Sequence, residues 1–282
     1  MRRIATFLLP VLLLSCVPRT QEPGHPITIF EKGVSSVPTA GAGTGAALEQ
    51  PADLQTREVA YGLSGGKTLS GYLVIPAGDG PFPGLILIHE WWGLNDNIRA
   101  NALAFARQGY AALAVDLYEG ESTRDPARAK ELAGAVQGNM DRAFDNLQQA
   151  VDFLRSEPNV NRQLIGSVGW CFGGGWSYQM AKNDLGVRAT VMYYGRFSHE
   201  DDLSHMKSTI LGHFGEKDAS ILVDDVKAFR VKLKTLSGDH EIYIYPNAGH
   251  GFANSDNPVF DPAAADVSWG RTLEFLQQTL GE

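Results

Sequence analysis

The sequence of 282 residues has only two cysteines, fewer basic than acidic residues, and no apolar run of the roughly 20 residues that a membrane-spanning helix needs. With 24 Lys and Arg against 32 Asp and Glu, it lacks the basic surface that a phosphate backbone requires, which argues against nucleic-acid binding. A composition that is 44% hydrophobic and 20% charged excludes disorder throughout and favours one large core with an unpacked extension.

The sequence opens with two arginines and a short apolar segment, MRRIATFLLPVLLLSC. This segment is too short to span a bilayer and is interrupted by Pro10, so it predicts an export signal over residues 1–16. Its last four residues, LLSC, resemble a bacterial lipobox, and we therefore expect Cys16 to be lipid-modified and the protein to reside in the cell envelope. Ordinary secretion, with Cys16 removed or left as a spare thiol, is the alternative; a short transmembrane anchor is less favoured.

Residues 17–55 contain five prolines and the stretch TAGAGTGAALEQ, with neither helical nor strand periodicity. They predict a flexible tether, followed by a domain over residues 56–282. That domain has a single thiol, Cys171, so it cannot form an internal disulfide. Because an unpaired cysteine in an oxidising compartment is at risk of oxidation, its presence requires a functional reason.

From Arg57 onward, strand-like apolar runs alternate with amphipathic segments, a pattern typical of a parallel sheet covered on both faces. REVAYGL and LSGYLVIP predict an opening hairpin, and six further runs predict buried strands: GLILIHE, YAALAVD, LIGSVGW, RATVMYY, TILGHF and HEIYIYP. Helices are predicted over residues 97–108, 125–136, 141–156, 174–182, 223–236 and 262–279. The sequence thus predicts an α/β fold with about eight strands.

Reactive side chains follow four of the predicted strands. His89 and Glu90 come after GLILI, Cys171 after LIGSVGW, Asp218 after TILGHFGEK, and His250 after the last strand. Because ligands bind at the carboxyl ends of strands in such sheets, we expect these side chains to face one end of the sheet.

The stretch GWCFGGG places Cys171 in a GxCxG turn between a strand and a helix. Small residues at Gly169, Gly173, Gly174 and Gly175 permit the sharp turn of a nucleophile elbow. The helix N-terminus favours the thiolate, which is the form that attacks a carbonyl carbon. A buried structural cysteine in a glycine-rich turn is the alternative for this motif alone.

The chain order Cys171, Asp218, His250 is the order of nucleophile, acid and histidine in α/β-hydrolases. In this arrangement His250 moves the proton, while Asp218 fixes the tautomer of the imidazole. His213 lies inside a strand and is predicted to be a core residue. The remaining candidates, His199, His205 and His240, are interpreted as surface residues, and a zinc site built from His199, His205 and His213 is disfavoured by their spacing.

Four ordered motifs carry a resemblance to a known family: HEWWGLNDNIRANALAFARQGYAALAVDLY, GWCFGG, GEKD and AGHGFAN. Over residues 71–280 the sequence resembles the dienelactone hydrolases, α/β-hydrolases that use cysteine as the nucleophile. The resemblance implies that Cys171 is the nucleophile, His250 the base and acid, and Asp218 the orienting carboxylate. It also implies that Glu90 is a fourth member, which pairs with the resting thiol and helps to deprotonate it when substrate arrives.

The resemblance implies an oxyanion hole formed by the backbone N–H groups of Phe172 and Trp91. Trp91 and Trp92 are candidates for lining the acyl pocket, and Tyr118, which follows another strand, is a candidate for the border of the cleft.

One departure from the family concerns the substrate. Relatives that act on dienelactone place an arginine four residues after the catalytic histidine to bind the substrate carboxylate, and this sequence has Asn254 there. Asparagine cannot supply a charged bidentate clamp. A second family arginine, in the middle helices, has no clear match in ARAKELAGAVQGNMDRAF either, although Arg128 or Arg142 could substitute for it spatially. An uncharged or differently charged small ester, lactone or thioester is therefore the expected substrate.

These observations predict an exported hydrolase that attacks a small ester or lactone through Cys171 and releases an acyl-thioester with water, without a cofactor or metal. Two alternatives stay open. The same site could transfer the acyl group to an alcohol or amine, or the fold could serve as a binding module without catalysis.

Overall fold

The computed structural model describes residues 53–281. The predicted signal over residues 1–16, including Cys16, and residues 17–52 of the predicted tether lie outside the described residues. Within the described part, no helix combines the length and the apolar character needed to cross a bilayer.

Within residues 53–281, eight strands form one sheet, as the sequence predicts. Their bounds are β1 Leu54–Ser64, β2 Lys67–Pro76, β3 Phe82–Ile88, β4 Ala111–Val115, β5 Val160–Trp170, β6 Ala189–Tyr193, β7 Thr209–Gly215 and β8 Glu241–Tyr245. The strand order is β1-β2-β4-β3-β5-β6-β7-β8. β1 and β2 form the predicted hairpin and β2 pairs with β4 in antiparallel fashion, whereas all other neighbours are parallel. This is the mostly parallel sheet expected of an α/β-hydrolase.

In the described part of the chain, six helices cover the two faces of the sheet: α1 Asp96–Arg107, α2 Pro126–Gln137, α3 Met140–Ser156, α4 Phe172–Lys182, α5 Val223–Leu233 and α6 Pro262–Leu280. Side chains cap several N-termini; Asn95, for example, accepts a hydrogen bond from the Ile98 N–H at the start of α1. The N-cap of α4 is Cys171, and no side chain of the described residues caps that helix. The first-turn N–H groups of α4 therefore donate no hydrogen bond to a capping side chain of the described residues.

The buried strands fix the position of the reactive loops. β3, β5, β6, β7 and β8 run parallel, so the residues that follow them emerge at one edge of the sheet. The Cys171 N–H donates to the Tyr193 carbonyl (2.9 Å), and the Tyr194 N–H donates to the His213 carbonyl (2.7 Å). These two bonds extend the ladder beyond the strand ends and hold the loops in register.

Candidate active site

Cys171 occupies a sharp turn between β5 and α4. Its backbone has φ 53° and ψ −113°, a left-handed conformation that non-glycine residues seldom adopt. Close backbone approaches make the turn possible: a Cβ at Gly169 would lie 2.0 Å from the Gly173 carbonyl oxygen, and one at Gly173 would lie 2.1 Å from that of Ile88. The GxCxG motif therefore forms a nucleophile elbow in the structure.

The structure brings Cys171, His250 and Asp218 into one hydrogen-bonded row. The Nε2 atom of His250 lies 3.1 Å from Cys171 Sγ, and its Nδ1 atom lies 2.7 Å from Asp218 Oδ2. Along the chain, Asp218 follows Cys171 by 47 positions and precedes His250 by 32 positions. The row connects sulfur, imidazole and carboxylate in the order that nucleophilic catalysis requires.

The carboxylate of Asp218 is fixed from behind. Its side chain is fully buried, and Oδ1 accepts hydrogen bonds from the N–H groups of Ser220 (2.7 Å) and Ile221 (3.0 Å). With Oδ1 occupied, Oδ2 is left to accept from His250 Nδ1. Asp218 thereby favours the imidazole orientation in which Nε2 faces the sulfur.

The electrostatics of the row favour a charged imidazole. Burial by itself lowers the pKa of His250, but the hydrogen bonds to Asp218 and Cys171 and the negative charges of both residues outweigh it and raise the pKa to about 10. Since the ordinary value is 6.5, this interaction stabilises the fold fully below pH 6.5 and is lost as the pH rises through about 10. At neutral pH the imidazole of His250 is therefore favoured in its charged form.

Glu90 and Cys171 line one cavity, but no hydrogen bond between described residues joins the Glu90 carboxylate to the thiol. Its Oε1 accepts from the hydroxyl of Tyr194 (3.2 Å), and its Oε2 accepts from Nδ2 of Asn254 (2.6 Å). Burial raises the pKa of Glu90, opposed by these two hydrogen bonds and by the charge of His250. The pairing of Glu90 with the resting thiol that the resemblance implies is absent among residues 53–281, because both carboxylate oxygens are engaged elsewhere.

A cavity of about 720 Å³ opens beside Cys171. Trp91, Trp92, Phe172, Trp176 and Tyr194 form its aromatic walls. The rings of Trp91 and Trp92 contact each other, with centroids 4.6 Å apart. The two tryptophans thus line the cavity beside Cys171, where the sequence predicts the acyl pocket. The aromatic walls suit a planar or unsaturated substrate.

Two residues predicted at the cleft do not line the Cys171 cavity. Tyr118 is buried, contacts His89 and Phe172, and lines a separate cavity of about 250 Å³. Asn254 is buried behind Glu90 and does not line the Cys171 cavity. In both cases the packing of the side chain against neighbours, which strand-end position alone does not reveal, determines its place.

Arg128 and Arg142, the candidates to replace the second family arginine of the middle helices, do not line the Cys171 cavity. Arg128 pairs with Glu121 and Glu131, and Arg142 pairs with Glu119. Both line the smaller, separate cavity, where these acidic partners already neutralise them.

Arg196 is a candidate that the sequence analysis missed. It follows β6 in the stretch YYGRF, is exposed, and is the sole Lys or Arg side chain in the lining of the Cys171 cavity within the described part of the chain. None of the ion pairs found between described residues involves it. Its position after a strand end was the only signal in the sequence that could have identified it.

Outside the hydrogen bonds of α4 itself, the backbone N–H groups of Phe172 and Trp91 have no hydrogen-bond acceptor among residues 53–281. The predicted oxyanion donors are thus available, and both residues line the cavity.

Apart from His250, no histidine among residues 53–281 lines the Cys171 cavity. His213 is fully buried, contacts the hydroxyls of Tyr245 (2.8 Å) and Thr272 (3.0 Å), and has its pKa lowered to about 3 by burial and the charge of Arg271. It is a core residue, as predicted. The described residues contain no group of three or more His, Cys, Asp or Glu side chains that could hold a metal ion.

Sheet order, helix placement and the elbow define this chain as an α/β-hydrolase. Its sequence matches the dienelactone hydrolase family over residues 69–280, and the chain belongs to that family. The family assignment agrees with the motifs from which the resemblance was inferred, and it makes the protein a lactone or ester hydrolase by class.

Individual relatives support the same assignment. "Protein usf" of Aquifex pyrophilus is 31% identical over 223 residues, which cover 76% of this chain and 95% of that protein. "Putative carboxymethylenebutenolidase" of Escherichia coli (strain K12) is 30% identical over 220 residues, covering 72% of this chain and 80% of that protein. The crystal structure of a "Putative Dienelactone Hydrolase" from Klebsiella pneumoniae is 26% identical, covers 80% of this chain and 99% of that one, and superimposes with a TM-score of 0.70.

Proposed function

We propose that this protein hydrolyses a small ester or lactone by nucleophilic catalysis, with Cys171 as nucleophile, His250 as proton carrier and Asp218 as orienting carboxylate. The observation that carries the proposal is the row of contacts from Cys171 Sγ to His250 Nε2 (3.1 Å) and from His250 Nδ1 to Asp218 Oδ2 (2.7 Å). The row borders an aromatic cavity large enough for a small substrate.

The reaction proceeds in two balanced halves. In the first, the Cys171 sulfur attacks the carbonyl carbon, and the N–H groups of Phe172 and Trp91 bind the resulting oxyanion. The carbon–oxygen bond to the leaving group then breaks as that oxygen takes the proton from His250 Nε2, which leaves an acyl-thioester.

In the second half, His250 Nε2 takes a proton from a water molecule while the water oxygen attacks the thioester carbon. The carbon–sulfur bond breaks, the sulfur leaves as thiolate, and the acid product is released. With a lactone the leaving hydroxyl stays attached to the acyl group, so the product is a single hydroxy acid.

The acyl-thioester is directly testable. With a slowly turned-over aryl ester and a rapid acid quench, the mass of the intact protein is expected to increase by the mass of the acyl group, and the adduct should map to Cys171. Detection of an acylated histidine or serine, with Cys171 unmodified, would contradict the assignment of the nucleophile.

The substrate class follows from the names of relatives and the walls of the cavity. The relative from Escherichia coli is named for carboxymethylenebutenolide, an unsaturated lactone that bears a carboxylate. In this protein the family arginine is replaced by Asn254, and Arg196 is the cation that lines the cavity. We propose that Arg196 favours substrates with an anionic group at the cavity mouth.

Replacing Arg196 by glutamine is expected to lower kcat/KM for a carboxylate-bearing aryl ester by about fivefold, which is the effect expected from the loss of one exposed ion pair. The rate for the neutral ester of the same acyl group should not change, and the preference for the anionic ester should decrease with salt. Arg128→Gln is the matched control, because Arg128 lies outside this cavity. An equal loss for anionic and neutral esters would remove Arg196 from substrate recognition.

We further propose that the protein is exported and held in the cell envelope by a lipid on Cys16, on the basis of the arginine-led apolar segment and the LLSC sequence that ends it. Cys16→Ser is expected to move the protein from the membrane fraction to the soluble fraction after cell breakage. Unchanged fractionation, with no radiolabelled palmitate incorporated by the unsubstituted protein, would exclude the anchor.

A further inference from the structure

Asn254 lies four residues after His250 and is buried, with 6% of its surface exposed. It neither lines the Cys171 cavity nor contacts the sulfur. Its contacts are instead with Glu90, with Asn97 at the start of α1, and with the backbone of its own loop. Since burying an amide is costly without hydrogen bonds, these contacts offset the cost of placing Asn254 in the interior and fix its side chain there.

The orientation of the Asn254 amide is fixed by its neighbours. The Oδ1 atom accepts from Nδ2 of Asn97 (3.1 Å) and from the Asp256 N–H (2.9 Å). An Nδ2 atom placed there could not accept either bond, so the amide cannot rotate by 180° without losing both. The Nδ2 atom must therefore face Glu90, to which it donates at 2.6 Å.

The other oxygen of Glu90 is held from the opposite side. Tyr194 donates its hydroxyl to Glu90 Oε1 (3.2 Å), and its backbone has φ 38°, in the left-handed region that non-glycine residues seldom adopt. Its ring also contacts the ring of His250, with centroids 5.2 Å apart. The carboxylate is thus held between two donors, next to the Cys171 and His250 pair.

We propose that Asn254 is a positioning residue that holds the Glu90 carboxylate away from Cys171, so that His250 is the partner of the thiol in the free protein. The family resemblance implies the opposite resting state, in which the glutamate pairs with the cysteine until substrate arrives. In this chain the thiol of Cys171 already contacts its proton acceptor, His250, before substrate binds. The proposal rests on the proposed role of Cys171, but its test does not require turnover.

Charge explains what the release of Glu90 would do. Glu90, Cys171 and His250 line one cavity, and the charged groups that act on Glu90 are His250 and Asp256. Without the donor on Asn254, the carboxylate is free to turn toward the thiol. A negative charge next to the sulfur disfavours the thiolate, and it also competes with the thiolate for His250.

The experiment measures the rate of Cys171 alkylation by iodoacetamide against pH, in which the sulfur displaces iodide. For Asn254→Ala, the pH at which the alkylation rate is half-maximal is expected to shift upward by about one unit, and the rate at pH values well below that midpoint to decrease about tenfold. The matched control is Ser255→Ala, in the same loop, because Ser255 does not line the Cys171 cavity and the hydrogen bonds to the Glu90 carboxylate come from Asn254 and Tyr194. Its profile should coincide with that of the unsubstituted protein.

A double-mutant cycle separates positioning from a general loosening of the loop. If Asn254 acts through Glu90, Asn254→Ala has no further effect on the profile in a Glu90→Ala background. An unchanged profile for Asn254→Ala alone, or an equal shift with and without Glu90, would overturn the proposal.

Tyr194→Phe provides a second route if the asparagine variant does not fold. It removes the other donor to Glu90 and keeps the ring, and the profile should shift in the same direction. An unshifted Tyr194→Phe profile would then overturn the proposal. A protein that hydrolyses no ester but shows these shifts would contradict the proposed function and leave the positioning role intact.

Discussion

Cys171→Ala is expected to lower kcat for small aryl esters and unsaturated lactones by about 10⁴-fold or more, the size of effect seen when a nucleophile that works as part of a triad is removed. Without the sulfur no acyl-enzyme can form, and the imidazole of His250 loses the group that it activates at 3.1 Å. The residual rate would come from the oxyanion donors and from binding alone. The measurement is steady-state hydrolysis across a panel of esters and lactones.

Cys171→Ser is the matched variant, because it keeps the shape of the elbow and replaces only the sulfur. Its rate should fall between those of the unsubstituted and alanine proteins, since an alcohol beside the same imidazole ionises less readily than a thiol. Equal rates for the unsubstituted protein and Cys171→Ala, or none for either across the panel, would instead support a binding module on this fold.

Asp218→Asn is expected to lower kcat/KM by about 10³-fold while leaving the fold intact, because it forces the wrong tautomer on His250. The Asp218 Oδ1 position accepts two backbone N–H groups, so the carbonyl oxygen of an asparagine would take that place. Its NH₂ group would then face His250 Nδ1, which could only accept. The imidazole proton would move to Nε2, and the ring could no longer take a proton from the sulfur or from water.

The pH profile distinguishes this mechanism from simple misfolding. Since the asparagine removes a group that raises the pKa of His250, the remaining activity of Asp218→Asn should increase with pH as thiolate forms without an imidazolium partner. Asp224→Asn is the matched control, because that carboxylate is 93% exposed on α5. Retention of the full rate by Asp218→Asn would show that Asp218 does not orient the histidine.

Most of the fold could be predicted from the sequence because strand and helix periodicity are local properties. The predicted helix over residues 141–156 and the observed α3 at Met140–Ser156 differ by one residue. The elbow at Cys171 was equally predictable, since a left-handed turn flanked by glycines leaves a short sequence pattern. The carboxyl-end rule then assigned Asp218 and His250 to the same edge of the sheet.

The partners of individual polar groups were less predictable. The position of Asn254 relative to His250, which is that of the family arginine, predicts substrate binding, yet Asn254 donates to Glu90 across 164 residues of chain. The sequence allows Arg128 and Arg142 near the cleft, but nearby acidic side chains hold them at a separate cavity. Arg196, which does line the Cys171 cavity, has no motif around it.

The amino-acid sequence by itself therefore determined the α/β-hydrolase architecture, the elbow, and the order of Cys171, Asp218 and His250, because each depends on short-range patterning or on strand order. Only the tertiary structure decided that Glu90 contacts Asn254 and Tyr194 rather than the thiol, and that Arg196 faces the cavity. The physical reason is that a hydrogen bond between loops forms only when the donor–acceptor distance is correct to within a few tenths of an ångström. The packing of distant segments sets that distance.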